Sequence, residues 1–150
     1  MNNKPRKVYV DTNVLVNYFT SQVNDVQCLD YIFQKRRKDI LFTSSLAKVQ
    51  MASILQTKKN NRHKFTRAEI AECNEKINHK FSIIDLTDDD IQNGVVENNE
   101  DVEDNVHYIL ADKLKCNIII TNNTSDFYCF RGKMTALTPK DMKSIKEAIR

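Results

Sequence analysis

Asp11 closes the apolar run Val8-Tyr9-Val10 and opens the polar triplet Asp11-Thr12-Asn13, after which apolar residues resume at Val14, Leu15, Val16, Tyr18 and Phe19. The pattern reads as a buried strand that delivers one carboxylate to its C-terminal end and then turns into a helix. In open α/β sheets that edge is where ligands bind. An unpaired buried charge is costly, so Asp11 is either a metal ligand or a cap satisfied by a dense set of hydrogen bonds. Further carboxylates stand at Asp101, Glu103 and Asp104, where another helical segment opens, and at Asp126, just beyond the run Ile118-Ile119-Ile120. Asp101 and Asp104 are spaced i, i+3 and can share one side of their helix. Oxygen-only donors of this kind suit Mg²⁺ or Mn²⁺. No cysteine pair has Cys-x-x-Cys spacing, and His63, His79 and His107 are isolated in sequence. Each histidine reads as a surface or boundary residue rather than a ligand.

Several of these acids have a purely structural alternative. Asp101 and Asp104 occupy N-cap and N3 positions, where a carboxylate stabilises a helix by about 0.3–1 kcal/mol without any function. Asp88, Asp89 and Asp90 stand in the same place on the preceding helical segment and are assigned to that role, and Asp112 reads as solvated. The case for a site comes from the ensemble of acids, not from any one of them.

The elements that must position them follow from hydrophobic periodicity and capping signals. Strands are expected at 7–10, 40–43, 81–84, 117–121 and about 134–137. Helices are expected at 12–19, 25–37, 45–56, from Thr66, at 87–96, 101–115 and 141–149. Thr66-Arg67-Ala68-Glu69 is a capping box. In the helix over 45–56, Leu46, Val49, Ile54 and Leu55 supply the apolar positions. Strands alternating with helices predict an α/β fold: a three-layer α/β/α sandwich around a central, mainly parallel sheet of four to five strands. Parallel strands share one C-terminal edge, so Asp11 and Asp126 could converge there.

The chain's 150 residues fit one domain spanning 1–150, with a hydrophobic content of 41% and only two Gly and two Pro. No apolar run approaches the ~20 residues of a membrane span, and no signal-peptide segment precedes the first strand, so a cytoplasmic protein is expected. Scattered Cys28, Cys73, Cys116 and Cys129 read as free, mostly buried thiols. The net charge of +3 hides an asymmetry: residues 1–80 carry 15 Lys/Arg against 7 Asp/Glu, and residues 81–150 carry 8 against 13. Basic residues cluster at Lys35-Arg36-Arg37-Lys38, and again at Lys58, Lys59, Arg62, Lys64 and Arg67. The first cluster is read equally well as a solvated helix end. The second suits contact with a polyanion such as nucleic acid.

Three segments together resemble the PIN domain family: Val-Tyr-Val-Asp11-Thr-Asn-Val-Leu-Val, Asp101-Val-Glu-Asp104-Asn-Val-His-Tyr-Ile-Leu-Ala, and Ile-Ile-Ile-Thr121-Asn-Asn123-Thr-Ser-Asp126-Phe. Their order and spacing match the family's, and the α/β layout agrees over essentially the whole chain. The resemblance implies a metal-dependent ribonuclease in which Asp11, Asp104 and Asp126 are the catalytic and metal-site carboxylates. Thr12 and Asn13 would hydrogen-bond around Asp11, and Asp101 or Glu103 could add a further carboxylate. Bacterial members are often toxins held inactive by a small antitoxin protein, and a homodimer is expected from the family. Asn123 falls where many members place an acid. Gln50 stands where the family usually has a Glu, which keeps a carbonyl ligand but loses a charge and any general-base role.

The resulting expectation is hydrolysis of RNA phosphodiester bonds with Mg²⁺ or Mn²⁺ as cofactor, by in-line attack of water and without a covalent enzyme intermediate. The competing expectation is a weakened or inactive PIN-like module that binds RNA or protein, with Gln50 and Asn123 marking lost turnover. An aspartyl-phosphate phosphotransferase fits worse. Such enzymes place a second acid two residues after the nucleophile, where this chain has Asn13, and no Gly-rich phosphate loop is present.

Overall fold

A computed structural model describes residues 6–34, 39–57, 63–130 and 132–148. Five strands form one sheet in the order β3-β2-β1-β4-β5: β1 (Lys7–Val10), β2 (Ile40–Ser44), β3 (Ser82–Ile84), β4 (Ile118–Ile120) and β5 (Thr135–Leu137). Every pairing is parallel, with Val8 opposite both Leu41 and Ile118. Helices α1 (Thr12–Phe19), α2 (Val23–Gln34), α3 (Ser45–Leu55), α4 (Arg67–Lys80), α5 (Asp88–Val95), α6 (Val102–Lys113) and α7 (Pro139–Ala148) connect and flank the strands. The expected α/β sandwich is therefore the observed fold.

Strand alternation divides the interior in two. Val8, Val10, Ile118 and Ile120 face one core, built with Leu15, Leu29 and Met51, while Tyr9 and Ile119 face another, built with Leu110, Phe127 and Phe130. Each such aliphatic side chain contributes roughly 1.5–3 kcal/mol on full burial. Tyr9 is the exception on β1, because it carries a hydroxyl into an otherwise apolar layer and must find partners for it.

The chain lays down β1, β2 and β3 in one direction, then crosses back to place β4 on the other side of β1. The C-terminal ends of β1 and β4 thus form the topological switch point of the sheet, where the flanking connections diverge and leave a crevice. Helix caps fix where the flanking helices begin. Ser44 caps α3 by accepting from the Ala47 N–H, Thr66 forms the expected capping box with Glu69, and Thr87 forms a second one with Asp90.

Three local readings are corrected. Val49 is 63% exposed and Ile54 lies on the surface, so α3 buries only Ala47, Met51 and Leu55 from a sequence that is apolar on several sides. Helix α2 begins at Val23, two residues earlier than its periodicity suggests. Thr124–Phe130, where no element is expected, is a 3-10 helix whose Phe130 ring stacks on Tyr108 at 3.7 Å.

Candidate active site

Asp11 sits at the switch point, 5% exposed, with its backbone N–H bonded to the Ile120 carbonyl. Its Oδ1 accepts the Thr12 N–H at 2.8 Å, and its Oδ2 accepts Asn13 Nδ2 at 3.0 Å and the Thr121 hydroxyl at 2.8 Å. The carboxylate is thus held by donors from two strands' ends, which is the dense hydrogen-bond set its burial requires. Asn13 is fixed in turn, because its Oδ1 accepts the Asn122 N–H at 3.0 Å. Asn122 also donates to Asp25 at 2.8 Å, a buried acid in the first turn of α2.

A second, fully interior network reaches the same place. The Tyr9 hydroxyl lies 2.7 Å from both Ser44 Oγ and His107 Nδ1. His107 Nε2 lies 2.8 Å from Gln50 Oε1, and the same oxygen accepts the Thr12 hydroxyl at 2.7 Å. His107 is 2% exposed, so it is not the surface or boundary residue expected from sequence. Burial holds its imidazole below the ordinary value, against the opposing pull of Asp11, whose Oδ1 is 3.7 Å from Nε2. Burial, with the Asp11 charge adding to it, likewise pushes the Tyr9 phenol far above its usual range, against the lowering effect of the Ser44 hydrogen bond. Both groups are therefore neutral hydrogen-bonding elements. His107 lies one helical turn beyond Asp104, and that i, i+3 spacing was the available signal. What sequence could not show is that Tyr9, Ser44 and Gln50 meet it.

Helix α6 supplies the acidic wall. Asp101 is its N-cap and accepts the Asp104 N–H at 3.1 Å. Asp104 and Glu103 line a cleft of about 350 Å³ together with Asp11, Gln50, His107 and Asn123. Burial, then the charges of Asp101, Asp126, Asp11 and Glu103, raise the Asp104 carboxyl to about 7. Asp126 is exposed on the 3-10 helix and does not line the cleft, but it stands near enough to act on Asp104. Among the described residues no Lys or Arg pairs with any of these five acids.

This donor set suits a hard divalent cation in its chemistry: carboxylate oxygens with crowded negative charge that no described Lys or Arg neutralises. Among the described residues no three His, Cys, Asp or Glu side chains stand close enough to enclose an ion as placed. Of the basic residues singled out above, Lys64 and Arg67 are exposed and outside the cleft wall, and Lys35–Lys38, Lys58, Lys59 and Arg62 lie outside the described residues. The segment carrying Lys64 does return to α3, where the Phe65 N–H bonds the Leu55 carbonyl, next to Ser53 and Ile54 of the cleft.

The family model of the PIN domain matches residues 7–125. The chain belongs to the PIN domain family. No curated protein matches the sequence. Among solved structures, this PIN domain is similar to a toxin–antitoxin complex from Klebsiella pneumoniae at 18% identity and TM-score 0.62, over 88% of this chain and 97% of that one. It is also similar to VapBC2 from Rickettsia felis bound to a promoter DNA fragment, at 12% identity and TM-score 0.61, over 88% and 98% of the two chains. A third is VapC20 of Mycobacterium tuberculosis, a toxin that cleaves the sarcin–ricin loop, at 12% identity and TM-score 0.56, over 75% and 86%. At these identities the likeness is one of fold. Among the described residues no helix is long and apolar enough to cross a membrane.

Proposed function

We propose that this PIN domain is a Mg²⁺- or Mn²⁺-dependent endoribonuclease acting as the toxin of a toxin–antitoxin pair. The observation that carries the reading is the convergence of Asp11, Glu103 and Asp104 on one cleft at the sheet's switch point. Asp11, Asp104 and Asp126 would hold the cation, with Asp101 and Asn123 beside them. A bound divalent ion would supply charge neutralisation at the scissile phosphate and a water of lowered pKa. The Thr12 N–H, Asn13 and Thr121 keep the Asp11 carboxylate oriented, and the buried Tyr9–His107 pair walls its inner side against water. Lys58, Lys59, Arg62, Lys64 and Arg67 would contact flanking phosphates, which makes binding salt-dependent and weakly sequence-specific.

The test is cleavage of a panel of single-stranded and structured RNAs in Mn²⁺, Mg²⁺ or EDTA by wild type and Asp11→Asn. Cleavage that needs metal, and that falls about a hundredfold or more in Asp11→Asn, supports the nuclease. A second reading has one observation in its favour: the Gln50 carbonyl already accepts the Thr12 hydroxyl and lies 2.8 Å from His107 Nε2, which leaves three candidate ligand carboxylates at the site. Folded wild type that binds RNA without cutting it would make the chain a binding module. A small antitoxin and a homodimer belong to the proposal. Rescue of growth by a co-expressed neighbouring reading frame, and the mass in solution, test them separately.

A further inference from the structure

We propose that Gln50 is a phosphate-binding donor for RNA rather than a metal ligand, and that Ser44, Tyr9 and His107 lock it in that orientation. This rests on the nuclease reading and names a substrate contact within it. The Gln50 Oε1 receives the Thr12 hydroxyl at 2.7 Å and faces His107 Nε2 at 2.8 Å. Two hydrogen bonds fill a carbonyl's two lone pairs, so no lone pair is left for a cation.

The buried chain fixes which end of the amide faces which way. The Ala47 N–H donates to Ser44 Oγ at 3.1 Å. The Ser44 hydrogen is then directed to the Tyr9 oxygen, and the Tyr9 hydrogen to His107 Nδ1. With Nδ1 accepting the Tyr9 hydrogen, the imidazole proton sits on Nε2 and points at Gln50 Oε1. In this direction every hydroxyl hydrogen of the chain has an acceptor. Reversing the amide reverses the chain, strands the Ser44 hydrogen and leaves the Thr12 hydrogen only a long 3.4 Å contact to His107 Nε2, a costly outcome in a buried network.

The Gln50 amide nitrogen is what remains. It has no hydrogen-bond partner among the described residues and is not one of the buried unpartnered atoms. It therefore opens onto the cleft that Gln50 lines. Among the described residues no Lys or Arg lines that cleft. Asn13 and Thr12 have already committed their donors elsewhere. An anionic phosphate oxygen entering among Asp11, Glu103 and Asp104 is repelled unless it meets donors, and the Gln50 amide presents two hydrogens. Ser53, three residues further along α3 and also in the cleft wall, places a hydroxyl on the same side. A glutamate at position 50 would turn an acceptor toward the phosphate instead.

The experiment has two parts. Two-bond ¹H–¹⁵N NMR of the wild-type protein reads the His107 tautomer: protonation at Nε2 is expected, and protonation at Nδ1 would overturn the orientation. A labelled single-stranded oligoribonucleotide is then titrated in Ca²⁺, and Mn²⁺ is titrated without RNA, for wild type, Gln50→Met and Gln50→Glu. Gln50→Met should weaken RNA binding about tenfold to a hundredfold, the worth of one hydrogen bond to a charged group, while Mn²⁺ affinity stays within about twofold. Gln50→Glu, which keeps the shape, should bind RNA more weakly than Gln50→Met. Mn²⁺ affinity lost in Gln50→Met with RNA affinity intact would make Gln50 a ligand, and RNA affinity unchanged in either variant would also overturn the proposal. Wild type that fails to bind the RNA overturns the nuclease reading together with this one.

Discussion

Helices α5 and α6 open with nearly the same text, Thr-Asp-Asp-Asp in one case and Asp-Val-Glu-Asp in the other, yet their N3 carboxylates behave in opposite ways. Asp90 on α5 is buried, which alone would raise its carboxyl. The Lys113 ammonium at 2.9 Å and the Thr87 N–H and hydroxyl outweigh that and hold it below the usual carboxylate range. Among the described residues Asp104 on α6 receives no Lys or Arg and no reciprocal cap. Burial and four neighbouring acids raise it to about 7. An acidic first turn is therefore uninformative by itself. The partners brought by the rest of the fold decide whether it is a structural staple or a reservoir of uncompensated charge.

The comparison breaks most visibly in paired variants. Asp104→Asn should reduce metal-dependent cleavage about a hundredfold while leaving the melting temperature unchanged or higher. Asp90→Asn should leave cleavage within about twofold and cost roughly 1–3 kcal/mol in denaturant unfolding, because it removes both a cap and a partly buried ion pair. Equal losses of cleavage in both would erase the distinction.

Gly94→Ala probes the packing that joins the two helices. An added Cβ would lie 2.5 Å from Val106 Cγ2 and 3.2 Å from the Val106 nitrogen, while the Gly94 carbonyl accepts Asn105 Nδ2 at 3.0 Å. The crowding should cost about 1–3 kcal/mol, more than the gain in helix propensity returns. A stabilised variant would show that α5 can move away from α6.

The pH dependence in EDTA should separate the two acids by sign. Asp104 has a raised folded pKa, so the native state holds a proton that the unfolded chain releases. Its penalty grows as pH rises from about 4 to about 7 and is complete above that. Asp90 has a lowered pKa. Its contribution is full above the unfolded value near 4 and is lost as pH falls through the folded one. Urea unfolding from pH 4 to 8 should thus show stability declining with pH in wild type but less so in Asp104→Asn, and Mn²⁺ should flatten the wild-type profile. The smallest effect is expected for Asp101→Asn. Asn caps a helix as well as Asp, so stability should change by only a few tenths of a kcal/mol, while the Asp104 carboxyl titrates at lower pH by NMR.

Much of this arrangement was legible from sequence because it follows from short-range rules. The runs Val8-Tyr9-Val10 and Ile118-Ile119-Ile120 are buried strands, Thr66 and Glu69 form their box, and Asp11 and Asp104 reach one cleft. The rest depends on which distant residues meet. His107 has the appearance of a stray histidine until Tyr9 turns its hydroxyl into the opposite layer from Val8 and Val10. Gln50 could be read only as a missing acid, since its two donors come from α1 and α6. Val49 and Ile54 misled because helical periodicity cannot tell which of several apolar sides the sheet will cover.

The placement of β1 between β2 and β4 also sets the order in which the molecule can become competent. Asp11 is made 110 residues before Thr121, whose hydroxyl donates to it at 2.8 Å. The strand that carries Thr121 into place pairs Val8 with Ile118 and Val10 with Ile120. Until β4 docks against β1, Asp11 has only its local donors, the Thr12 N–H and Asn13 Nδ2. The full set of donors around Asp11 thus forms only once residue 121 has been synthesised, a constraint set by strand order and not by local sequence.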